Sequence, residues 1–200
     1  MSKQVLIMPL PPGTLGSYSL AAVSGAIAAT PAANDQYFSF RWGNAVNYAA
    51  IEMVYVSVAT SAAITTAVPF GLDMVIARAF TASASGGTAL TLTTNNAKLK
   101  TDFSTTLVTD MRIATTGALT AGTQTLDAQP MAQVVFGTGT AVGSTILTQS
   151  VLFDRAVNDY PLVLAQNEGF VIAASMTGHA TGSLRVGVNV KWLEVSKQVF

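Results

Sequence analysis

One histidine, ten acidic residues and no cysteine are the raw material for chemistry in these 200 residues. The imidazole is His179, in the run Met176-Thr-Gly-His-Ala-Thr-Gly182. Glycine on each side predicts a loop between two strands. A lone histidine there is expected to be a solvated side chain, not a general base. Without cysteine there is no thiolate nucleophile, no thiolate metal site and no disulfide. A serine nucleophile would need the strained turn written Gly-x-Ser-x-Gly, which is absent. One imidazole is too little for a zinc site. The acids are dispersed, and no Asp-x-Asp-x-Asp-Gly loop offers itself to calcium. Asp154 and Asp159 flank a short polar segment that reads as a turn with an Arg155 ion pair. A glycosidase needs two carboxylates converging across a cleft, and nothing marks such a pair. Gly137-Thr-Gly-Thr-Ala-Val-Gly143 is glycine-rich but lacks the lysine and following helix of a phosphate loop. The expectation is a protein that is not an enzyme, with no catalytic residue, metal or cofactor.

The elements that would hold such residues read as strands. Only 10% of the chain is charged, against 50% hydrophobic, much of it Ala and Val. Soluble domains average roughly 25% charged, so the surface must be neutral polar or covered by other chains. Formal net charge is zero, which leaves no bulk field to draw in nucleic acid or an anionic membrane. The uncharged stretch from Gln4 to Asn34 is broken by Pro and Gly, which argues against a membrane-crossing helix.

From Leu184 onward, Leu184, Val186, Val188, Val190 and Trp192 alternate with Arg185, Gly187, Asn189 and Lys191. This period of two marks a strand with one apolar face. Phe70–Phe80 reads the same way, with Leu72, Met74 and Ile76 on one face and Arg78 intruding on it. Ile51–Val58 is apolar on both faces and is expected to be buried on both sides. Further candidates are 37–41, 107–114, 133–136, 146–153, 161–165 and 170–175. Turn signals such as Ser85-Gly-Gly87 and Asn167-Glu-Gly169 separate them. The fold expected is all-β: a β-sandwich, jelly-roll-like because several connections are too long for hairpins. Residues 1–30, rich in Pro, Gly, Ala and Ser, are expected to form an extended N-terminal arm. Residues 31–200 would be one sandwich domain with a long loop or lobe at 81–105.

Chemistry of contact is the remaining possibility. Trp42 follows Arg41 where a strand ends. Exposed, it would stack on a sugar or a partner chain; the other reading is a core tryptophan. In the arm, Val5, Ile7 and Leu10 are the apolar residues with which it would grip a neighbour. Val5, Ile7, Leu10 and Trp42 are thus the candidate partner-binding residues.

Three stretches resemble small structural proteins of tailed bacteriophages. They are Phe70-Gly-Leu-Asp-Met-Val-Ile-Ala-Arg-Ala-Phe-Thr81 with Ser85-Gly-Gly-Thr-Ala89, Leu107-Val-Thr-Asp-Met-Arg-Ile-Ala114 with Leu119-Thr-Ala-Gly-Thr-Gln-Thr-Leu-Asp127, and Pro161-Leu-Val-Leu-Ala-Gln-Asn-Glu-Gly-Phe-Val-Ile172 with Leu184-Arg-Val-Gly-Val-Asn-Val-Lys-Trp192. The resemblance implies a virion location and a capsid decoration, or cement, role. Its partners would be the major capsid protein and further copies of itself, as a trimer. A tail or fibre module that binds a host receptor or glycan is the alternative.

Overall fold

The computed structural model describes residues 13–93, 97–142, 149–158 and 160–198. In chain order these form β1 (Thr14–Val23), β2 (Ile27–Ala28), β3 (Gln36–Trp42), β4 (Asn47–Ala62), β5 (Pro69–Ala82), β6 (Thr88–Ala89) and β7 (Asp110–Ile113). They continue with β8 (Thr123–Leu126), β9 (Ala132–Gly137), β10 (Ser150–Asp154), the one-turn helix α1 (Arg155–Asn158), β11 (Leu162–Leu164), β12 (Glu168–Ala174) and β13 (Ser183–Ser196). Two antiparallel sheets pack face to face as a β-sandwich. One has the order β1-β13-β4-β10, with β11 also on β4 and β2 on β13. The other runs β6-β7-β3-β12-β5-β8, with β9 also on β5.

The pairing is nested. Strand β1 pairs with β13, β3 with β12, β4 with β10 and β11, and β5 with β8 and β9. The last two partners are each split in two, so one side of the sandwich is lined by interrupted edge strands.

Strand β13 sits between β1 and β4 and carries the alternation read from the sequence. Leu184, Val186, Val188, Val190 and Trp192 are all buried in the main core. Each such side chain withdrawn from water stabilises the fold by about 1.5–3 kcal/mol. From the other sheet Phe38, Phe40, Phe70, Leu72, Met74 and Ile76 meet them. Phe40 stacks on Phe170 at 5.2 Å and meets Trp192 edge-on at 5.8 Å.

Four expectations are corrected. The extended arm cannot run to residue 30, because Thr14–Val23 is a full strand paired with β13 from Thr14↔Val195 to Val23↔Gly187. Strand β4 is not buried on both sides: Val54, Val56 and Val58 enter the core, but Met53, Tyr55 and Ser57 are half-exposed. Arg78 is exposed although it shares the parity of Leu72, Met74 and Ile76, at the point where Ala79 adopts φ 48° and the register against β8 slips. The side chain then reaches Asp127 and Glu168 outside the core.

The stretch at 81–105 does not project as a lobe. After β6 the chain leaves one sheet at Leu90, whose N–H bonds Met111 O, and crosses to the edge of the other. There Ser19 N–H donates to Ala97 O (2.7 Å) and Leu99 N–H to Ser17 O (3.0 Å), before Thr109 rejoins Arg41. Residues 97–109 therefore form a strap over the β1 edge, and Phe103 packs near Tyr18.

Candidate functional site

The residues that could do chemistry are dispersed by the fold. His179 lies in the β12–β13 connection, as its glycines predict, but it is wholly buried and not solvated. Gly178 N–H donates to Pro31 O and Thr30 N–H to His179 O, tying the loop to the segment before β3. A Cβ on Gly178 would stand 2.3 Å from Pro31 Cγ, so only glycine permits this approach. Among the described residues neither ring nitrogen has a hydrogen-bond partner. Burial lowers the pKa of the imidazole, opposed weakly by the nearby Gly182 backbone. A neutral ring with no carboxylate or hydroxyl to orient it is poorly placed to shuttle protons.

Asp154 is an N-terminal cap. It accepts from Ala156 N–H at 2.8 Å in α1 and from the Tyr55 hydroxyl at 2.9 Å. Arg155 does form an ion pair, with Glu52 of β4 at 3.1 Å, and Lys191 holds the other oxygen of that carboxylate at 3.0 Å. Asp159 lies outside the described residues. Among the described residues no three His, Asp or Glu side chains gather as a metal site. No helix among them is long and apolar enough to cross a membrane.

Trp42 is buried, with its indole N–H donating to Asn47 O at 3.0 Å. It is a core residue, and stacking on a sugar or partner is closed to it. Val5, Ile7 and Leu10 lie outside the described residues.

One ionisable cluster was not anticipated. Glu194 follows Trp192 on the inward parity of β13 and is 1% exposed. Its carboxylate accepts from Thr106 Oγ1 and from Leu107 N–H at 2.7 Å, pinning the strap to β13. Trp192 Nε1 lies near it without the alignment of a hydrogen bond. Burial pushes the Glu194 pKa up, against these donors, which pull it down. Tyr18 stacks on Trp192 at 5.4 Å and donates to Ser104 O. Burial, then the charge of Glu194, pushes its phenol up to about 12. The side chains of the cluster are buried, and its hydrogen bonds fasten the strap to β13.

Part of the surface is apolar. Met131, Val135, Val142, Val151, Val157 and Tyr160 are exposed, the last 80%. All belong to β9, β10 and their flanking connections. A groove of about 320 Å³ runs past the end of β9, between Val68, Pro69 and Val135–Thr138. A smaller one of about 100 Å³ lies on β1, β4 and β13, lined by Val23, Tyr55, Ser57 and Gly187 among others. Neither groove is lined by a charged side chain. No family model, curated protein or solved structure matches the chain.

Proposed function

We propose that this chain is a virion structural protein of a tailed bacteriophage, of the capsid decoration type, which stabilises a shell by burying surface on the major capsid protein. The observation that carries the reading is a β-sandwich whose surface is short of charge and carries several exposed valines. Only 10% of the residues are charged. Broad contacts made by such a surface strand few ions away from water, and a rigid sandwich loses little freedom on docking. In this reading the nested strand pairing is a jelly roll. The phage-like strings quoted above fall on β5, β6, β7, β8, β11, β12 and β13. They are framework, which is why they name a class of protein and no contact residue.

Residues 1–12 are the proposed second contact. Gly13, to which they are joined, has its carbonyl held by Ser196 N–H of β13. Twelve residues span up to about 40 Å when extended, far enough for Val5, Ile7 and Leu10 to reach a neighbouring subunit. A tail or fibre module that binds a host receptor or glycan is the second reading; Trp42, one residue that would have stacked on a sugar, is buried.

The test is attachment to purified particles. The chain is expected on the head, at fixed stoichiometry, and its removal is expected to lower the temperature at which heads rupture. Deleting residues 1–12 should weaken attachment while the circular dichroism of the sandwich is unchanged. Particles that lack the chain, or carry it only on the tail, overturn the shell-binding reading. A truncated chain that attaches with full occupancy overturns the role of the arm.

A further inference from the structure

We infer that β9 is an open edge through which two copies of this chain pair, antiparallel and two-fold, joining their sheets into one. This does not rest on the virion reading.

Strands β1 and β7 are covered at their edges, whereas β8, β9, β10 and β11 each pair on one side only, β9 being the longest of these. Residues 97–99 hydrogen-bond along β1. Strand β7 is capped by β6 and carries Asp110 and Arg112, which pair with each other at 3.0 Å. Strand β9, by contrast, pairs only with β5, in unbroken register from Pro69↔Gly137 to Met74↔Ala132. Among the described residues nothing hydrogen-bonds along its other side. A bare edge invites a further strand, and proteins usually blunt it with charge, proline or a bulge. Ala132–Gly137 has none of these. No charged residue stands anywhere between Asp127 and Asp154. Val135 is 50% exposed, and the groove at the end of β9 adds apolar surface beside it.

The occupant follows from the chemistry of the edge. A row of alternating backbone donors and acceptors is its own complement under a two-fold rotation. An uncharged edge has no ionic partner to select, and a second copy brings the same uncharged edge. With formal net charge zero, the copies do not repel one another at long range. A head-to-tail ring, such as the trimer that the phage resemblance implies, would instead set β9 against a different edge of its neighbour, without the self-matching of a two-fold pair. The pleat narrows the register further. Phe136 points into the core while Gln133 and Val135 point out, so like faces must meet. Val135 then faces either Val135 or Gln133 of the second copy.

The experiment uses the purified full-length protein, without particles. Sedimentation equilibrium is expected to show a dimer. Val135→Lys places two ammonium groups beside the two-fold axis and should weaken the dimer by about tenfold or more, with an unchanged circular dichroism spectrum. Val23→Lys, on the exposed outer face of β1, is the control and should leave the dimer intact. Because the chain has no cysteine, Val135→Cys, alone or mixed with Gln133→Cys, should oxidise to a disulfide-linked dimer, and Val23→Cys should not. A wild-type monomer at millimolar concentration overturns the inference. So does a dimer or trimer that Val135→Lys leaves unchanged, or a folded Val135→Cys and Gln133→Cys pair that does not cross-link.

Discussion

Glu194 gives the sharpest test of how the strap is held. Replacing it by Ala removes the acceptor of Thr106 Oγ1 and Leu107 N–H. Hydrogen bonds to a charged group contribute about 1.5–3 kcal/mol each. The desolvation that raises the Glu194 pKa offsets part of that sum, because the variant no longer buries a carboxylate. The expected cost of Glu194→Ala is therefore about 2–4 kcal/mol, or a fall in Tm of about 5–15 °C for a chain of this length. Glu194→Gln keeps one acceptor oxygen and should lie within about 1 kcal/mol of the parent at neutral pH. The pH dependence has a definite sign. A carboxyl whose folded pKa is raised contributes stability that is fully present below its unfolded value and lost as pH rises through the folded value. Glu194→Gln should thus compare least favourably with the parent in acid and improve against it as pH rises. Urea unfolding followed by tryptophan fluorescence, from about pH 4 to pH 8, measures both effects. Equal midpoints for the Ala and Gln variants, or a Gln-to-parent difference that does not vary with pH, would refute the reasoning.

Two further substitutions probe the core. Val188→Asp puts an unpaired charge on the buried face of β13 and should cost about 4 kcal/mol or more, read as loss of the cooperative unfolding transition at room temperature; a folded variant of parental stability would mean that β13 does not face the core. His179→Leu should abolish a loss of stability in acid, because a buried imidazole with a lowered pKa gives stability that is present above its unfolded value and lost as pH falls through the folded one. Thermal melts of parent and variant from about pH 7 to pH 4.5 should diverge, and parallel curves would sink this account of the β12–β13 loop.

Strands announce themselves in this sequence where large apolar residues alternate, as in β13, β5 and β3. Strand β1 does not, because Thr14-Leu-Gly-Ser-Tyr-Ser-Leu-Ala-Ala-Val23 is small and polar on both parities. Its strand identity comes from pairing, above all Tyr18 opposite Trp192, a partner 174 residues away that no local pattern names. Glu194 was nearer to being legible. The even positions that carry Leu184 to Trp192 reach it next, and unbroken parity puts an acid on the core side. The same parity sends Leu193 and Val195 to the opposite face, where they bury with Ala50 in a small second cluster. The glycines around His179 do signal a loop. Its burial depends on Pro31 packing against Gly178 from across the chain, and turn chemistry says nothing of that. The uncharged run from Ala128 to Phe153 is plain in the composition, yet its meaning is topological. Were β9 a central strand, the run would be ordinary core. Because the nested pairing leaves β9 paired only with β5, the absence of charge falls on backbone groups with no hydrogen-bond partner on their other side among the described residues, and it is there that the inferred contact lies.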